Sequence, residues 1–440
     1  MVPQSNLRNQ PNQIGRERVN AILLALILLL GLGLRVNEAW QGRDPVHDAV
    51  AYSGIAANLE RGNGFTWGPS ATQPASNYSP GLPLFVAGVY ELTGGVHERT
   101  ARLLLALLGT LAVLFTYLIG RRLRGPGAGL IGAAVIAVYP ALIEYQGMLM
   151  GEPLAATLLS GAVLAVLWAD RPRQGDQARV RWLVPGILLG ALALVRPEYI
   201  GVALLVSLVV LIRRGWRGTW AQALLLLAGV AVVVAPWTVR NAIALDRFVP
   251  VSTGGGQVLF AGTYLPSDGD PEKVGAEVVQ RHPQLFGPHA VQHLRLEQIL
   301  ARLAAQRYPE TETDQALSKM GKEQLWDDIS EEPLEYAGFV AIKVWRIWTR
   351  GQRAVMQEPG WKLFHWAIVL LGAIGLTVLA LQRRWEALLI AVIFLAITAI
   401  SALLVASPRR VLVMMPLLAA LAGVGVTASW QRLRLSLGRR

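Results

Sequence analysis

The chain contains no cysteine, which excludes disulfide bridges, thiolate metal sites and cysteine nucleophiles. Charge is scarce as well. Only 16% of the 440 residues are Asp, Glu, Lys or Arg, against about 25% in ordinary soluble domains. A Walker loop, a paired-histidine zinc helix and a Gly-x-Ser-x-Gly elbow are all missing, so no motif points to nucleotide, zinc-protease or serine-hydrolase chemistry. There is no internal repeat and no low-complexity run.

Apolar residues fill the space instead, at 53% of the chain. Runs such as 21–34, 220–236 and 361–381 approach the roughly 20 residues needed to cross hydrocarbon, and they lack the polar face of a soluble amphipathic helix. The first run follows Arg8, Arg16 and Arg18. It continues into Arg35, Asn37 and Glu38 without a small-residue cleavage site, which reads as an uncleaved signal anchor. The net charge of +12 fits lysine and arginine held at the cytoplasmic surface. No aromatic-rich basic groove argues for a nucleic-acid partner.

The pattern predicts an all-α polytopic membrane protein with about ten transmembrane helices: 21–36, 100–120, 127–143, 152–169, 183–195, 200–212, 220–236, 361–381, 388–406 and 411–428. Segment 82–92 is too short to cross and reads as a membrane-surface helix. With the N-terminus cytoplasmic, the inside loops then collect Arg121, Arg122 and Arg124; Arg171, Arg173, Arg179 and Arg181; Arg213, Arg214 and Arg217; Arg383 and Arg384. The tail adds Arg432, Arg434, Arg439 and Arg440 on the same side. Letting 82–92 cross would move the later clusters outside, against the positive-inside rule. This divides the chain into a transmembrane region 1–238 with a first outside loop 37–92, an extracytoplasmic domain 239–360, and C-terminal helices with a cytoplasmic tail, 361–440. In the domain, 292–307, 314–329 and 334–350 read as helices. The last lies in the interface or simply packs in the domain.

Several polar residues stand close to the apolar spans. Asp48 opens a helix carrying Tyr52 four residues on, and it reads either as a cap or as a base at the water–membrane boundary. Glu152 precedes Pro153 at a helix start and is a helix-start residue as easily as a ligand. Arg196-Pro197-Glu198 puts charges beside hydrocarbon, a mark of a site or of a local ion pair. Arg240, after Trp237, is an interfacial anchor or a bidentate phosphate ligand. Arg409 and Arg410 break the charge rule in a short outside loop. Thr253-Gly254-Gly255-Gly256 reads as a turn.

In this order and spacing the landmarks resemble the GT-C membrane glycosyltransferases, in particular the bacterial branch related to protein O-mannosyltransferases and aminoarabinose transferases. They run from His47-Asp48 through Gly64-Phe65, Tyr78-Ser79-Pro80-Gly81-Leu82-Pro83-Leu84, Arg102-Leu103 and Gly120-Arg121-Arg122-Leu123. Glu152-Pro153, Arg196-Pro197-Glu198, Pro236-Trp237-Thr238-Val239-Arg240-Asn241 and the segment from Arg247 to Gly255 follow. One departure is Ser79 before the helix-start proline, where related enzymes can carry a basic residue. The resemblance implies transfer of a sugar from a polyprenyl-phosphate donor to a glycan, lipid or protein acceptor on the extracytoplasmic side of the inner (plasma) membrane. It makes Asp48 the catalytic base and Glu152 a second catalytic acid residue. Arg240 is the first choice for the donor phosphate, with Arg196, Arg409 and Arg410 behind it. His47, Tyr52, Tyr78 and Glu198 become substrate contacts. No cofactor is required. Asp48 and Glu152 could share a hard divalent cation, but no metal ligand set is assigned. A multi-pass transporter or flippase is the principal alternative. It would favour an inverted repeat and helices broken near the midplane. A non-catalytic envelope assembly protein is the third reading.

Overall fold

The computed structural model describes residues 10–437, apart from 45–46, 69–72, 172–178, 268–269, 271–272, 288–289 and 352. Arg8, Arg173, Arg439 and Arg440 lie outside the described residues, as do the side chains of His47, Arg214 and Arg217.

In chain order the bundle begins with α1 (Gln10–Gln41), α2 (His47–Glu60), α3 (Gly81–Thr93), α4 (Glu98–Arg124), α5 (Pro126–Ala137), α6 (Pro140–Glu144) and α7 (Gly151–Ala169). It continues with α8 (Leu183–Val195), α9 (Ile200–Arg214) and α10 (Trp216–Leu245). The segment between α10 and the last three helices holds α11 (Gly255–Thr263), α12 (Val274–Arg281), α13 (Ala290–His293), α14 (Leu296–Arg307), α15 (Thr313–Glu331) and α16 (Pro333–Thr349). Then α17 (Pro359–Leu381), α18 (Trp385–Leu403) and α19 (Arg409–Leu437) close the bundle. A single antiparallel pair of two-residue strands, Thr66–Trp67 and Gln73–Pro74, folds the first loop back on itself.

Among the described residues, seven helices are long and apolar enough to cross a membrane, and α5 with 140–148 forms a bent apolar pair, a broken span or a re-entrant loop. The remaining two expected spans are shorter, α8 and α9, joined by the turn at Pro197–Tyr199. Apolar side chains such as Ile22, Leu26 and Leu29 on α1 point outward, as lipid-facing residues do. The α3 helix buries Leu82, Val86, Val89 and Tyr90 against the bundle.

The central helix is α19, buried over most of its length. Glycine makes this possible. A Cβ on Gly375 would sit 2.0 Å from the Leu421 carbonyl oxygen, and one on Gly423 would sit 2.0 Å from that of Ala128. Small residues let helix backbones approach closely where lipid supplies no hydrophobic drive. This places the first residues of α19 in the middle of the bundle's end.

The helices α11, α12, α14 and α15 enclose a core of their own, including Phe260, Val278, Leu300, Leu303 and Leu317. The glycine run departs from the expected simple turn, because it opens α11. Gly254 adopts φ +91°, and Asp314 accepts hydrogen bonds from the backbone N–H groups of Gly256 (2.9 Å) and Gln257 (3.3 Å). The cap is supplied from α15, 58 residues away in sequence, so no local pattern announced it. Helix α16 buries Tyr336, Phe339, Lys343 and Ile347 and exposes Leu334 and Trp345. It therefore packs on one face and leaves an aromatic-apolar face on the other.

Candidate active site

Three helix starts meet at one end of the bundle. Asp48 lies in the first turn of α2, Glu152 in the first turn of α7, and Arg409 begins α19. Arg409 donates through Nη1 to Asp48 Oδ2 at 2.6 Å and through Nε to Glu152 Oε1. Glu152 Oε1 also accepts from Arg196 Nη2. The two carboxylates and two guanidiniums thus form one chain, Asp48–Arg409–Glu152–Arg196. Beside it, Arg410 Nε lies 3.6 Å from Glu198 Oε1. The local Arg196–Glu198 pair suggested by the sequence is not the direct ion pair here, because each partner turns to a different helix.

Cations in the first turn of a helix are unfavourable, because that end carries partial positive charge. Arg409 and Arg410 occupy such a place, and acidic residues from three other segments offset them. Glu152 is fully buried, whereas the Asp48 side chain remains 38% exposed. Two buried atoms of this chain, Glu152 Oε2 and Arg409 Nη2, have no hydrogen-bond partner among the described residues. One cationic donor and one carboxylate acceptor are thus left over where three helix starts meet.

Tyr52 faces this group. Burial pushes its phenol up to about 12, with Arg196 and Arg409 pulling the other way. It stays a neutral hydrogen-bond donor at physiological pH. Its ring meets Tyr78 edge-on at 6.0 Å, and burial, then Asp48, raises the Tyr78 phenol as well. Tyr78 in turn meets Trp67.

Arg240 lies elsewhere. Its guanidinium stands over Trp237 (4.9 Å) and Phe65 (5.5 Å) and donates to Asn241 Oδ1 at 3.1 Å. Trp237 Nε1 donates to the Val251 carbonyl, and Asn241 Nδ2 donates to those of Val249 and Val251. The 236–241 motif therefore ties α10 to the chain that leads into α11. Arg240 joins no ion pair among the described residues, and it reaches the Asp48 group only through the aromatic side chains of Phe65, Trp237, Tyr78 and Tyr52. Of the four arginines expected at the donor phosphate, Arg196, Arg409 and Arg410 lie in or beside the ion-pair chain, and Arg240 lies in the aromatic cluster. Tyr145 and Tyr199 went unnoticed in the sequence. Tyr145 lies within electrostatic reach of Arg409, and Tyr199 OH donates to the Arg410 carbonyl at 3.5 Å. The buried tyrosine after Arg196-Pro197-Glu198 was the available signal for the second.

The donor set bears on metal binding. Among the described residues no three of His, Asp and Glu converge on one point. Asp48 and Glu152 each bind Arg409. A hard cation can be held by one or two carboxylates together with waters and a substrate phosphate; in the arrangement described, Arg409 bridges the two carboxylates.

Solved structures share this fold. The chain superposes on the archaeal oligosaccharyltransferase AglB from Archaeoglobus fulgidus, solved with an inhibitory peptide and a dolichol-phosphate. The TM-score is 0.58 at 14% identity, covering 96% of this chain and 52% of that one. A second structure of the Archaeoglobus fulgidus oligosaccharyltransferase, in complex with Zn and sulfate, gives a TM-score of 0.57 at 15% identity, over 94% and 50% of the two chains. The chain thus spans about half the length of these proteins. ArnT from Cupriavidus metallidurans, bound to undecaprenyl phosphate, is a looser likeness, with TM-score 0.42, 16% identity and coverage of 92% and 78%, too distant to add to the fold. In sequence, residues 75–239 match the family model described as dolichyl-phosphate-mannose-protein mannosyltransferase. No curated protein matches the chain in sequence.

Proposed function

We propose that the chain is an integral membrane glycosyltransferase that moves a sugar from a polyprenyl-phosphate donor to an acceptor hydroxyl on the extracytoplasmic side, with Asp48 as the base. The observation that carries this reading is the Asp48–Arg409–Glu152–Arg196 chain at three helix starts, with one donor atom of Arg409 left free. The likeness to dolichol-phosphate and mannosyltransferase proteins supports the donor class.

Asp48 is the more exposed carboxylate and sits on the first loop, where an acceptor hydroxyl can reach it. It takes the hydroxyl proton as the acceptor oxygen bonds to the sugar's anomeric carbon and the bond from that carbon to the phosphate oxygen breaks. The electron pair of that bond leaves on the lipid phosphate. Arg409 couples the two events. When Asp48 is protonated, its hold on Arg409 Nη1 weakens, and the guanidinium is freed to meet charge developing on the phosphate. Glu152 acts as the anchor that keeps Arg409 and Arg196 aimed, a positioning role rather than a second acid. Arg196 and Arg410 add positive charge, Tyr52 donates a neutral hydrogen bond, and Arg240 flanks the group beyond the aromatic cluster. The 239–360 domain selects the acceptor.

The test is sugar transfer by purified protein in lipid, with a panel of polyprenyl-phosphate sugars and acceptors. Turnover of one donor that is lost in Asp48→Asn supports the reading. Full turnover in that variant removes Asp48 as base. A folded wild type that leaves every donor intact yet moves labelled lipid across a bilayer would instead establish the flippase alternative.

A further inference from the structure

A second cluster of arginines lies at the opposite end of the bundle. From Glu152 to Trp168 the α7 helix rises about 24 Å, so this end is separated from the charged group by most of a bilayer's hydrocarbon. There α4, α7 and α8 enclose a cavity of about 700 Å³. Its rim carries Arg121, Arg122, Arg171 and Trp168, and its wall is apolar, including Leu118, Leu164 and Val184.

The nearby carboxylates are already engaged. Asp170 is buried and paired with Arg213. Glu386 is paired with Arg384 at 2.9 Å, and it is also within electrostatic reach of Arg122. No ion pair engages Arg121 or Arg171 among the described residues. All three rim arginines are exposed. Trp168, with Arg181 over its ring at 4.7 Å, marks the level of the membrane–water boundary, where tryptophan prefers to sit. The wall residues Leu164 and Gly161 lie one and two turns deeper along α7, at the level of acyl chains. The cavity therefore offers cations at headgroup depth and an apolar wall below them. A free anion would use the first and gain nothing from the second.

We propose that this pocket binds the phosphate headgroup of an anionic glycerophospholipid from the leaflet at that end, with its acyl chains against Leu118, Leu164 and Val184. Guanidiniums recognise phosphate through paired, charge-assisted hydrogen bonds, and basic pockets between membrane helices hold acidic headgroups. The site is separate from the proposed transfer site and does not depend on that reading.

The experiment is native mass spectrometry of delipidated protein, titrated with phosphatidylglycerol, with phosphatidylcholine, or with glycerol 3-phosphate alone. The triple variant Arg121→Gln, Arg122→Gln, Arg171→Gln is compared with a control, Arg383→Gln, Arg432→Gln, Arg434→Gln, which removes as much charge from the same end outside the pocket. Because the pocket arginines are exposed, the variant is expected to keep its unfolding temperature. Phosphatidylglycerol retained over phosphatidylcholine by wild type and control, and weakened about tenfold or more in the pocket variant, is the expected result. Equal weakening in the two variants would show a diffuse charge field and overturn the proposal. So would equal retention of phosphatidylcholine, or binding of glycerol 3-phosphate as tight as that of the lipid.

Discussion

Asp48→Asn and Glu152→Gln make the same chemical change at two carboxylates that share one arginine, yet the structure gives them different consequences. The Asp48 side chain is 38% exposed, so its pair with Arg409 is only partly buried. Exposed pairs contribute about 0–1 kcal/mol, so Asp48→Asn should leave the unfolding midpoint almost unmoved. Its cost falls on the reaction, where a positioned base supplies about 10²- to 10⁴-fold, or about 3–5.5 kcal/mol of barrier. Glu152 is fully buried between two guanidiniums. Removing one partner of a buried ion pair costs about 3–5 kcal/mol, since charge is left uncompensated. Glu152→Gln should therefore lower stability visibly and slow transfer through a misaligned Arg409. The assay is denaturation in mild detergent followed by tryptophan fluorescence, run beside sugar transfer on the same preparations. The reasoning fails if both variants unfold alike, or if Asp48→Asn turns over at the wild-type rate.

Other outcomes follow from the same geometry. Arg409→Lys keeps one charge but not the fork that reaches Asp48 and Glu152 together; kcat should fall by about 10²-fold or more, while Arg240→Ala should mainly raise KM for the donor. Lys343 is buried in α16, donates to the Gly262 and Ala402 carbonyls, and is lowered to about 7 by burial and then by Arg410. The native state then binds this proton less tightly than the unfolded state, so its contribution to stability is least below about pH 7 and rises toward the unfolded lysine value. Unfolding midpoints of wild type and Lys343→Met, compared at pH 6 and pH 9, should show wild type gaining more than the variant as pH rises. A Cβ at Gly256 would lie 1.8 Å from the Asp314 carbonyl oxygen. Gly256→Val should therefore separate α11 from α15, and limited proteolysis within 239–360 should speed up markedly.

Hydropathy was enough to read the helical spans. The ten expected spans correspond to seven full-length helices, one bent pair and the short helices α8 and α9. These features are legible because a lipid environment demands long internally bonded helices, and that demand acts on local composition. The arginines of the far end are equally readable, since the charge bias works loop by loop. Asp48, Glu152, Arg196 and Arg409 were each conspicuous as charges beside hydrocarbon. The sequence thus determined the class of protein and the membership of the charged group.

Its connectivity depended on tertiary structure. Arg409 lies 361 residues from Asp48 and 257 from Glu152, and only the packing of α19 at the centre of the bundle brings them together. That packing rests on glycines whose significance lies in the facing backbone, not in their neighbours along the chain. For the same reason Arg240, which looked well placed beside Trp237, belongs to an aromatic cluster instead of the ion-pair chain. Asp314, an unremarkable helix-start residue in sequence, accepts from the backbone N–H of Gly256, 58 positions earlier, in the first turn of α11. Local pattern records what each residue prefers, whereas ion-pair partners are chosen by which helix ends the packed bundle sets side by side.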